Sequence, residues 1–316
     1  MKQVMLIDVM NLCFRVHFAH EHLSTKKGVC TSVLYGFMDH ILYLNHKFPD
    51  TPMIFCFDAG HTWRHDFADK KYKRKRTTSE HRTKIYEQIE PLFGFLNCFG
   101  YHTLMVHGTE ADDLIGILSY QFIKKHEELK VLIYSGDRDY FQLINDRVTV
   151  IKTQGGSHLM KMTEKELKAD YGLKPRQWVR FRSLCGDASD SIKPVKGIGT
   201  KTAMKMIQAG VDASVKKFED LPRKVRHTHP KLKKHWEAIH NAYILSKLPK
   251  DHEFKMFSKD ISERVKRWID PVVKRPKKRK QTKEQYRQLQ KHFIKLAKHY
   301  ELKTLIARRH DFQKIP

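Results

Sequence analysis

V-H-G-T-E-A-D-D-L-I-G at residues 106–116 and V-L-I-Y-S-G-D-R-D-Y-F at residues 131–141 begin and end the stretch that decides the fold. An apolar helical pattern lies between them, and the second motif opens with a short apolar strand pattern, which together indicate half of a β-α-β unit. Glu110, Asp112 and Asp113 stand before the helix, and Asp137 and Asp139 follow the strand. Because ligands bind beyond the carboxyl ends of parallel strands, we expect these acids to converge.

Further apolar runs alternate with helical patterns along the N-terminal half, at residues 2–9, 53–57, 101–106, 131–134 and 148–152. This alternation predicts an α/β fold with a mainly parallel central sheet flanked by helices. The first run ends near Asp8 and the second is followed by Asp58, so four strands have acids at their ends or in the following loop.

One acid after a strand is more often a helix N-cap or a solvated loop residue than a functional group. Acids after four strands are not explained in this way, because clustered carboxylates repel one another and raise one another's pKa unless a cation lies among them. The pattern therefore favours a divalent-metal site. Asp187 and Asp190 stand three residues apart, a spacing at which a helical turn or tight loop directs both side chains the same way.

The chain has 316 residues and a net charge of +26, an excess that predicts a polyanionic partner. It has no apolar run of about 18 residues and no signal-peptide pattern, so we expect nucleic acid rather than a membrane as the partner, and a cytoplasmic location. The five scattered cysteines form no CxxC pair, which predicts reduced thiols.

A basic and aromatic segment follows Asp58. Residues 64–84 contain nine lysines and arginines, and the interleaved aromatic residues are Trp63, Phe67, Tyr72 and Tyr86. Cations neutralise phosphates and aromatic rings stack on unpaired bases. We therefore expect a segment that crosses above the acids, the alternative being a solvated helix face. A helix returns the chain to the body over residues 85–96.

Lys196 and Lys201 enclose a glycine–apolar–glycine turn that opens a helix ending near Gly210. Glycines let backbone N–H groups approach a phosphate, and a helix N-terminus favours an anion. The segment 183–210 thus predicts a helix–hairpin–helix that binds the DNA backbone without reading its sequence. The alternative is an ordinary connection between two helices.

The C-terminal part gives weaker signals. Residues 274–280 read K-R-P-K-K-R-K, which fits a DNA-contacting tail or a nuclear localisation patch. Apolar residues at 286, 289, 293, 296 and 300 predict an amphipathic helix that packs on its own domain. We expect a main domain at 1–270, followed by a basic linker and helix at 271–316. Within the main domain, the basic segment that crosses above the acids forms an arch at about 60–90, and the helix–hairpin–helix lies at about 183–210.

These motifs, taken in order, resemble the 5′-nuclease family: flap endonucleases, bacteriophage 5′–3′ exonucleases of the RNase H-like primer-removing type, and the 5′-nuclease domains of bacterial DNA polymerases. The matching segments are I-D-V-M-N-L-C-F-R at 7–15, F-D-A-G at 57–60 with W-R-H-D-F and Y-K-R-K-R after it, E-A-D-D at 110–113, S-G-D-R-D-Y-F-Q-L at 135–143 and G-D-A-S-D-S-I-K-P-V-K-G-I-G at 186–199. They cover roughly residues 4–210, and the short chain is most similar to the bacteriophage branch.

The resemblance implies a PIN-like nuclease fold and a 5′–3′ exonuclease and flap endonuclease that removes RNA primers or flaps during DNA replication. It implies two or more Mg²⁺ ions, replaceable by Mn²⁺, and K⁺ at the glycine hairpin. The implied metal ligands are Asp8, Asp58, Glu110, Asp112, Asp113, Asp137, Asp139, Asp187 and Asp190. We expect Asp137 to lie near both ions, because it ends the central strand.

The resemblance also assigns residues that act on the substrate. The catalytic set is Lys73, Tyr72, Arg76 and Asp137, with Tyr72 and Lys73 facing the scissile phosphate from the arch. The implied DNA contacts are Arg15, Arg64, Arg74, Lys75, Lys196, Gly197, Gly199, Thr200 and Lys201. Implied partners are branched or flapped DNA, RNA–DNA hybrids, a single-strand-binding protein and a polymerase, and we expect a monomer.

Other classes fit less well. A haloacid-type phosphatase needs a second aspartate two residues after Asp8, where Met10 stands, and the P-loop motif is absent. A small acidic RNase would need neither the hairpin nor the basic segment. The remaining alternative is a non-catalytic or metal-deficient DNA-binding protein, which would leave the acids unexplained.

Overall fold

The computed structural model describes residues 3–68, 79–153, 158–187, 190, 192–193, 195–276 and 282–313. The strands are β1 Gln3–Asp8, β2 Met53–Cys56, β3 His102–Leu104, β4 Lys130–Tyr134, β5 Val148–Thr153 and β6 Leu159–Met162. They form one sheet in the order β3-β2-β1-β4-β5-β6, in which only β6 runs antiparallel to its neighbour among the described strands. The predicted α/β fold with a mainly parallel sheet is confirmed, although β6 was not predicted.

Helices cover both faces of this sheet. The N-terminal helices are α1 Val9–Ala19, α2 Ser32–Lys47, α3 Trp63–Phe67, α4 Glu80–Tyr86, α5 Ile89–Cys98, α6 Ala111–Lys125 and α7 Glu164–Tyr171. The C-terminal helices are α8 Trp178–Cys185, α9 Thr200–Gln208, α10 Arg223–Thr228, α11 Trp236–Ser246, α12 Lys259–Lys274, α13 Lys283–His299 and α14 Lys303–Ala307. The described part of the chain also contains five short 3₁₀ turns: Arg138–Leu143, Pro175–Gln177, Phe218–Asp220, Pro230–His235 and Asp311–Gln313.

Strand β1 lies at the centre of the sheet, between β2 and β4. Val4 and Leu6 belong to one core, which also holds residues of α6, α8, α9, α11 and α12. Met5 and Ile7 belong to the other core, with residues of α1, α2, α5 and α13. Successive side chains of a strand point to opposite faces, so the continuous apolar run of β1 is explained by burial on both sides.

The helix predicted over residues 85–96 is divided into α4 and α5. Pro91 lies in the first turn of α5, where a missing N–H breaks no helical hydrogen bond. The buried Gln88 side chain, between the two helices, accepts the N–H groups of Val33 and Leu34 at 2.9 and 3.1 Å. The break therefore supplies a side-chain partner for the first turn of α2.

The predicted amphipathic helix near the C-terminus is α13, and it packs on its own chain. Phe293 is fully buried, and its ring centroid lies 5.2 Å from that of Phe95 and 4.8 Å from that of Phe99. Phe95 lies in the last turn of α5, and Phe99 directly follows the helix. The C-terminal helix thus closes the core on the α5 side of the sheet.

No helix of the described residues combines the length and apolar character needed to cross a bilayer.

All five cysteines are free thiols, and Cys13, Cys56 and Cys98 are buried, as expected from their scattered spacing.

We expect Phe293→Ala to lower the free energy of unfolding by about 3–5 kcal/mol, because it leaves a cavity between two phenylalanine rings. Urea denaturation followed by circular dichroism measures the change. The matched control is Lys291→Ala on the exposed face of the same helix, which should change stability by less than about 0.5 kcal/mol. Equal values for the two variants would show that α13 does not stabilise the core.

Candidate metal centre and nucleic-acid interface

The carboxyl edge of the sheet has acids from three neighbouring strands. Asp8 is the last residue of β1 and is paired with Cys56, the last residue of β2. Asp58 follows Cys56 by two residues, and Asp137 follows the end of β4 by three. The strand order reverses between β1 and β4, and in parallel sheets such a reversal is where ligands bind.

Asp8 is buried beneath this edge and is held by three donors. Its Oδ1 accepts the N–H of Asn11 at 3.1 Å, and its Oδ2 accepts the hydroxyl groups of Ser135 at 2.9 Å and Tyr140 at 3.1 Å. Burial raises the pKa of Asp8 to about 7, and the charge of Asp58 adds to the rise. Carboxylates this close favour a cation among them.

Asp137 is connected by hydrogen bonds to Asp8, through the Ser135 hydroxyl group, and to Asp139. Its Oδ1 accepts the N–H of Asp139 at 2.8 Å, and its own N–H donates to Ser135 Oγ at 3.1 Å. Its negative charge contributes to the raised pKa of Asp8 on one side and of Asp139 on the other. The Asp137 side chain is exposed, so its carboxylate can face a cation bound near Asp8 or near Asp139.

The second group consists of Asp139, Asp187 and Asp190, whose carboxylates each offer an oxygen within 4.8 Å of the others. Burial raises the pKa of Asp139, and the nearby Arg182 opposes that rise. Arg182 Nε donates to Asp139 Oδ1 at 2.9 Å, and its Nη2 donates to Asp187. Oxygen donors alone suit Mg²⁺, so this triad fits a magnesium ion in its chemistry.

A third set of acids opens α6. Asp113 is fully buried, and its Oδ2 accepts Trp63 Nε1 and Arg64 Nη1, both at 3.0 Å. Its Oδ1 lies 2.9 Å from Arg64 Nη2. Glu110 and Asp112 have oxygens 3.6 and 3.3 Å from Arg64 Nη1. Burial raises the pKa of the Asp113 carboxyl, and the Arg64 charge opposes the rise.

Arg64 and Trp63 lie in the interior, which corrects their assignment to a DNA-facing segment. Their exposed fractions are 1% and 3%. The Arg64 Nε donates to the Leu245 carbonyl oxygen at 3.0 Å, and the guanidinium carbon lies 4.6 Å from the Trp63 ring centroid. A paired cation stabilises a fully buried carboxylate, which explains why the start of α3 lies against Asp113. Arg64 is therefore not a surface contact for DNA in this structure.

The predicted hairpin residues are exposed. Helices α8 and α9 flank this segment, and Gly197 has a φ of +82° that favours glycine. The five predicted hairpin contacts are all accessible to a ligand: Lys196, Gly197, Gly199, Thr200 and Lys201. Their backbone and side chains can thus reach a phosphate without rearrangement of the core.

The remaining predicted residues are the DNA contact Arg15 and the catalytic and DNA-contacting residues of the arch. Arg15 is half-buried, and it donates to Thr153 Oγ1 at 2.9 Å and to Tyr134 OH at 2.6 Å. These bonds hold its guanidinium against the end of β4 and β5. The arch residues lie outside the described residues: Tyr72, Lys73, Arg74, Lys75 and Arg76.

Several residues that position the acids were not assigned from the sequence. Gln142 is one: its Nε2 donates to the carbonyl oxygens of Asp139 at 2.9 Å and Ser246 at 2.8 Å, while its Oε1 accepts the Leu248 N–H at 2.9 Å. Ser135, Tyr140 and Gln142 all belong to the S-G-D-R-D-Y-F-Q-L motif. The motif was therefore a usable signal for them. Arg182 had none, since arginines are frequent throughout this chain.

Two protein-family models match the chain. The model described as "5′-3′ exonuclease, N-terminal resolvase-like domain" matches residues 3–172. The model described as "5′-3′ exonuclease, C-terminal SAM fold" matches residues 173–268. The first contains the sheet with most of the acids, and the second contains α8 and α9 with the hairpin between them.

Individual proteins agree with these models. The chain is 30% identical over 268 residues to the 5′-3′ exonuclease of Buchnera aphidicola from Schizaphis graminum, covering 83% of this chain and 91% of that protein. It is 35% identical over 254 residues to the thermostable DNA polymerase I of Thermus thermophilus, covering 79% of this chain and 29% of the polymerase. It therefore spans less than a third of that polymerase.

Solved structures of a bacteriophage T5 enzyme share the fold. The T5 5′-exonuclease with bound zinc has a TM-score of 0.67 and 19% identity, covering 86% of this chain and 99% of that one. The T5 flap endonuclease in complex with DNA and metal ions has a TM-score of 0.65 and 20% identity, covering 86% of this chain and 100% of that one. At 19% and 20% identity, these two structures show only that the fold is shared. The family models and the Buchnera relative show similarity in sequence. Since those models match residues 3–172 and 173–268, the chain belongs to the 5′–3′ exonuclease family.

Proposed function

We propose that this protein is a structure-specific 5′ nuclease that hydrolyses phosphodiester bonds near junctions of single-stranded and duplex DNA with the aid of two divalent cations. The observation that carries the proposal is the hydrogen-bonded connection of Asp137 to Asp8, through Ser135, and to Asp139, at the edge where the strand order reverses. The net charge of +26 suits a polyanionic substrate. The T5 flap endonuclease, which shares the fold, was solved with DNA and metal ions.

The acids divide into two proposed metal-binding sets with Asp137 shared between them. The first set is Asp8, Asp58, Glu110, Asp112 and Asp137, and the second is Asp139, Asp187 and Asp190. More carboxylates are present than two Mg²⁺ ions bind directly, so several act through water. The chemistry that bound cations supply is activation of a water molecule and stabilisation of the leaving 3′-oxygen.

Asp113 is better explained as an anchor than as a ligand. Both of its oxygens face Trp63 or Arg64 at 2.9 to 3.0 Å. We assign this pair the role of holding Glu110 and Asp112 at the start of α6. The family resemblance had included Asp113 among the ligands, and the proposal now leaves eight acids for the metals.

The chain's other groups orient the reacting parts. Ser135 and Tyr140 hold the Asp8 carboxylate in place through their hydroxyl groups. Lys73, by its positive charge, would stabilise the negative charge that develops on the phosphate, and Tyr72 would stack on an unpaired base. The remaining arch residues, Arg74, Lys75 and Arg76, would steer the sugar–phosphate backbone.

The biological setting of the proposal is the removal of RNA primers or flaps during DNA replication. Its support is the similarity to a DNA polymerase I, a protein in which the matched part covers 29% of the length. A polymerase acting in trans is therefore the proposed partner. The choice of Mg²⁺, the K⁺ ion at the hairpin, a single-strand-binding protein as partner, the cytoplasmic location and the monomeric state rest on the sequence analysis.

Cleavage of a 5′-labelled flap duplex tests the function, with a plain single strand and a blunt duplex alongside. We expect cutting near the junction with Mg²⁺ and none with EDTA, because the acids need a cation between them to admit phosphate. Asp137→Asn should lower kcat at least about a hundredfold, since the cation site loses several kcal/mol of transition-state stabilisation.

The matched control is Asp146→Asn, which removes an exposed acid just before β5, at the amino edge of the sheet. Its activity should equal that of the wild type. Tight binding of the flap substrate by the wild type without cutting would instead support the metal-deficient DNA-binding protein. Wild-type activity in Asp137→Asn would refute the proposed metal site.

Arg64→Met should lower the free energy of unfolding by about 3–5 kcal/mol, because Asp113 would remain buried without its cation. Urea denaturation measures the loss. The double variant Arg64→Met/Asp113→Asn should recover part of the stability, since the uncompensated charge is gone. A stable Arg64→Met protein with weakened DNA binding would instead restore Arg64 to the DNA interface.

Gln142→Met should lower kcat on the flap substrate more than it raises KM, because Gln142 positions Asp139 without touching DNA. The stability cost should be about 1–3 kcal/mol, from backbone groups that are left without a partner. The control Gln208→Met removes a similar bond, from Nε2 to the Gly172 carbonyl oxygen at 3.1 Å, and should leave kcat unchanged. An unchanged kcat in Gln142→Met would show that Gln142 has only a structural role.

A further inference from the structure

Residues 223–235 contain six lysines and arginines, three histidines and no acid. They form α10 and the 3₁₀ turn Pro230–His235. Val225 and Leu232 are buried and fix this segment to the core. Arg226 is half-buried, and the other five cations of the segment are exposed: Arg223, Lys224, Lys231, Lys233 and Lys234.

Helix α9 connects this segment to the glycine hairpin. Ala203 and Ile207 of α9 are buried, while Lys201 and Lys205, one turn apart, are exposed. The helix ends near Gly210, where an added Cβ would lie 3.6 Å from Val225 Cγ2 of α10. The end of α9 therefore lies beside α10, and both helices carry exposed cations. We call this set the α9–α10 basic surface: Lys201, Lys205, Arg223, Lys224, Lys231 and Lys234.

Two of the acids near this surface, Asp212 and Glu219, are paired with other cations. Asp212 pairs with Arg180 at 2.6 Å, and Glu219 pairs with Lys233 at 3.1 Å. Among the described residues, no carboxylate forms an ion pair within 4.0 Å of the four outer cations Arg223, Lys224, Lys231 and Lys234. Like charges at this density repel one another, so an external polyanion would stabilise the arrangement.

The surface chemistry distinguishes among polyanions. Single strands are held by aromatic rings that stack on bases, and membranes need apolar side chains that insert. Among the described residues of 200–235, no large apolar side chain is exposed. Cations without stacking groups suit the regular phosphate backbone of a duplex.

We propose that the α9–α10 basic surface binds the backbone of duplex DNA beyond the hairpin, as a second contact region for the substrate. This inference rests on the proposed nuclease function and adds the extent of duplex that the protein requires. The nine residues of α9 span roughly 13 Å, which equals about four base-pair steps. The outer cations then contact phosphates several base pairs away from those at the hairpin.

The test is the salt dependence of binding. The outer-cation variant carries Arg223→Ala, Lys224→Ala, Lys231→Ala and Lys234→Ala, and binding to a flap duplex is measured with Ca²⁺ in place of Mg²⁺. The slope of log K against log salt should fall in magnitude by about 0.9 for each phosphate that the variant no longer neutralises, a total of about 2–4 units. An unchanged slope would overturn the proposal.

The matched control removes the same number of charges from another surface. It carries Arg287→Ala, Lys291→Ala, Lys295→Ala and Lys298→Ala on the exposed side of α13. Its slope should stay within about one unit of the wild type, since none of these cations is expected to face the bound duplex. An equal change in both variants would show that only total charge matters, and would also overturn the proposal.

Shortened substrates locate the bound region of the duplex. The two duplex arms of the flap substrate are truncated separately from about 20 to about 6 base pairs. Truncation of one arm should abolish the difference between the wild type and the outer-cation variant, and a difference that persists for both short arms would contradict the proposal. Cleavage by the wild type in Mg²⁺ is scored separately. A wild type that cuts but shows no difference in slope refutes the basic surface alone, whereas one that does not cut refutes the nuclease function.

Discussion

Repulsion between carboxylates at the carboxyl edge of the sheet is the constraint on which the rest of the structure depends. Different hydrogen-bond and ion-pair partners offset this repulsion in each group of acids. Asp8 receives two hydroxyl groups and one backbone N–H, Asp113 receives a buried arginine, and Asp139 shares Arg182 with Asp187. Hydroxyl groups stabilise a carboxylate without neutralising it. Burial raises the pKa of Asp8 to about 7, so a cation beside this carboxylate would stabilise its charged form.

This division separates acids that hold the fold from acids that are available for chemistry. A buried ion pair is costly to form and still more costly to break, so Asp113 and Arg64 suit a permanent structural role. Asp137 is exposed, and its described hydrogen bonds involve only its own loop. A group that must face a changing set of ligands benefits from this lack of internal restraint. Neighbouring acids of the E-A-D-D motif thus differ in their partners: both oxygens of Asp113 lie 2.9 to 3.0 Å from Trp63 or Arg64, whereas Glu110 and Asp112 lie 3.6 and 3.3 Å from Arg64.

Sequence patterns predicted the strands and the acids that follow them, because burial on both faces leaves a continuous apolar run and the following acid is adjacent in the chain. They did not predict β6, in which only Met162 is buried and no continuous apolar run results. They also did not predict the break at Gln88, whose partners lie 54 and 55 residues away. Arg64 and Trp63 were misassigned for the same reason. A basic stretch looks solvated unless one knows that Asp113, 49 residues from Arg64, is buried beside it.

The contacts that position the acids also join the sheet to the helical segment that carries the hairpin. Arg182 of α8 holds Asp139 and Asp187, and Gln142 connects the Asp139 carbonyl to Ser246 at the end of α11. Arg64 reaches the Leu245 carbonyl in the same turn. Helices α8 and α11 pack together within the core that contains α9. A duplex bound at the hairpin would therefore rest on the elements that hold the acids, and its position would be set relative to the metals by packing and not by a flexible linker. Side chains at such a junction must be rigid as well as polar, which explains why a glutamine with three backbone partners, and not a lysine, stands there.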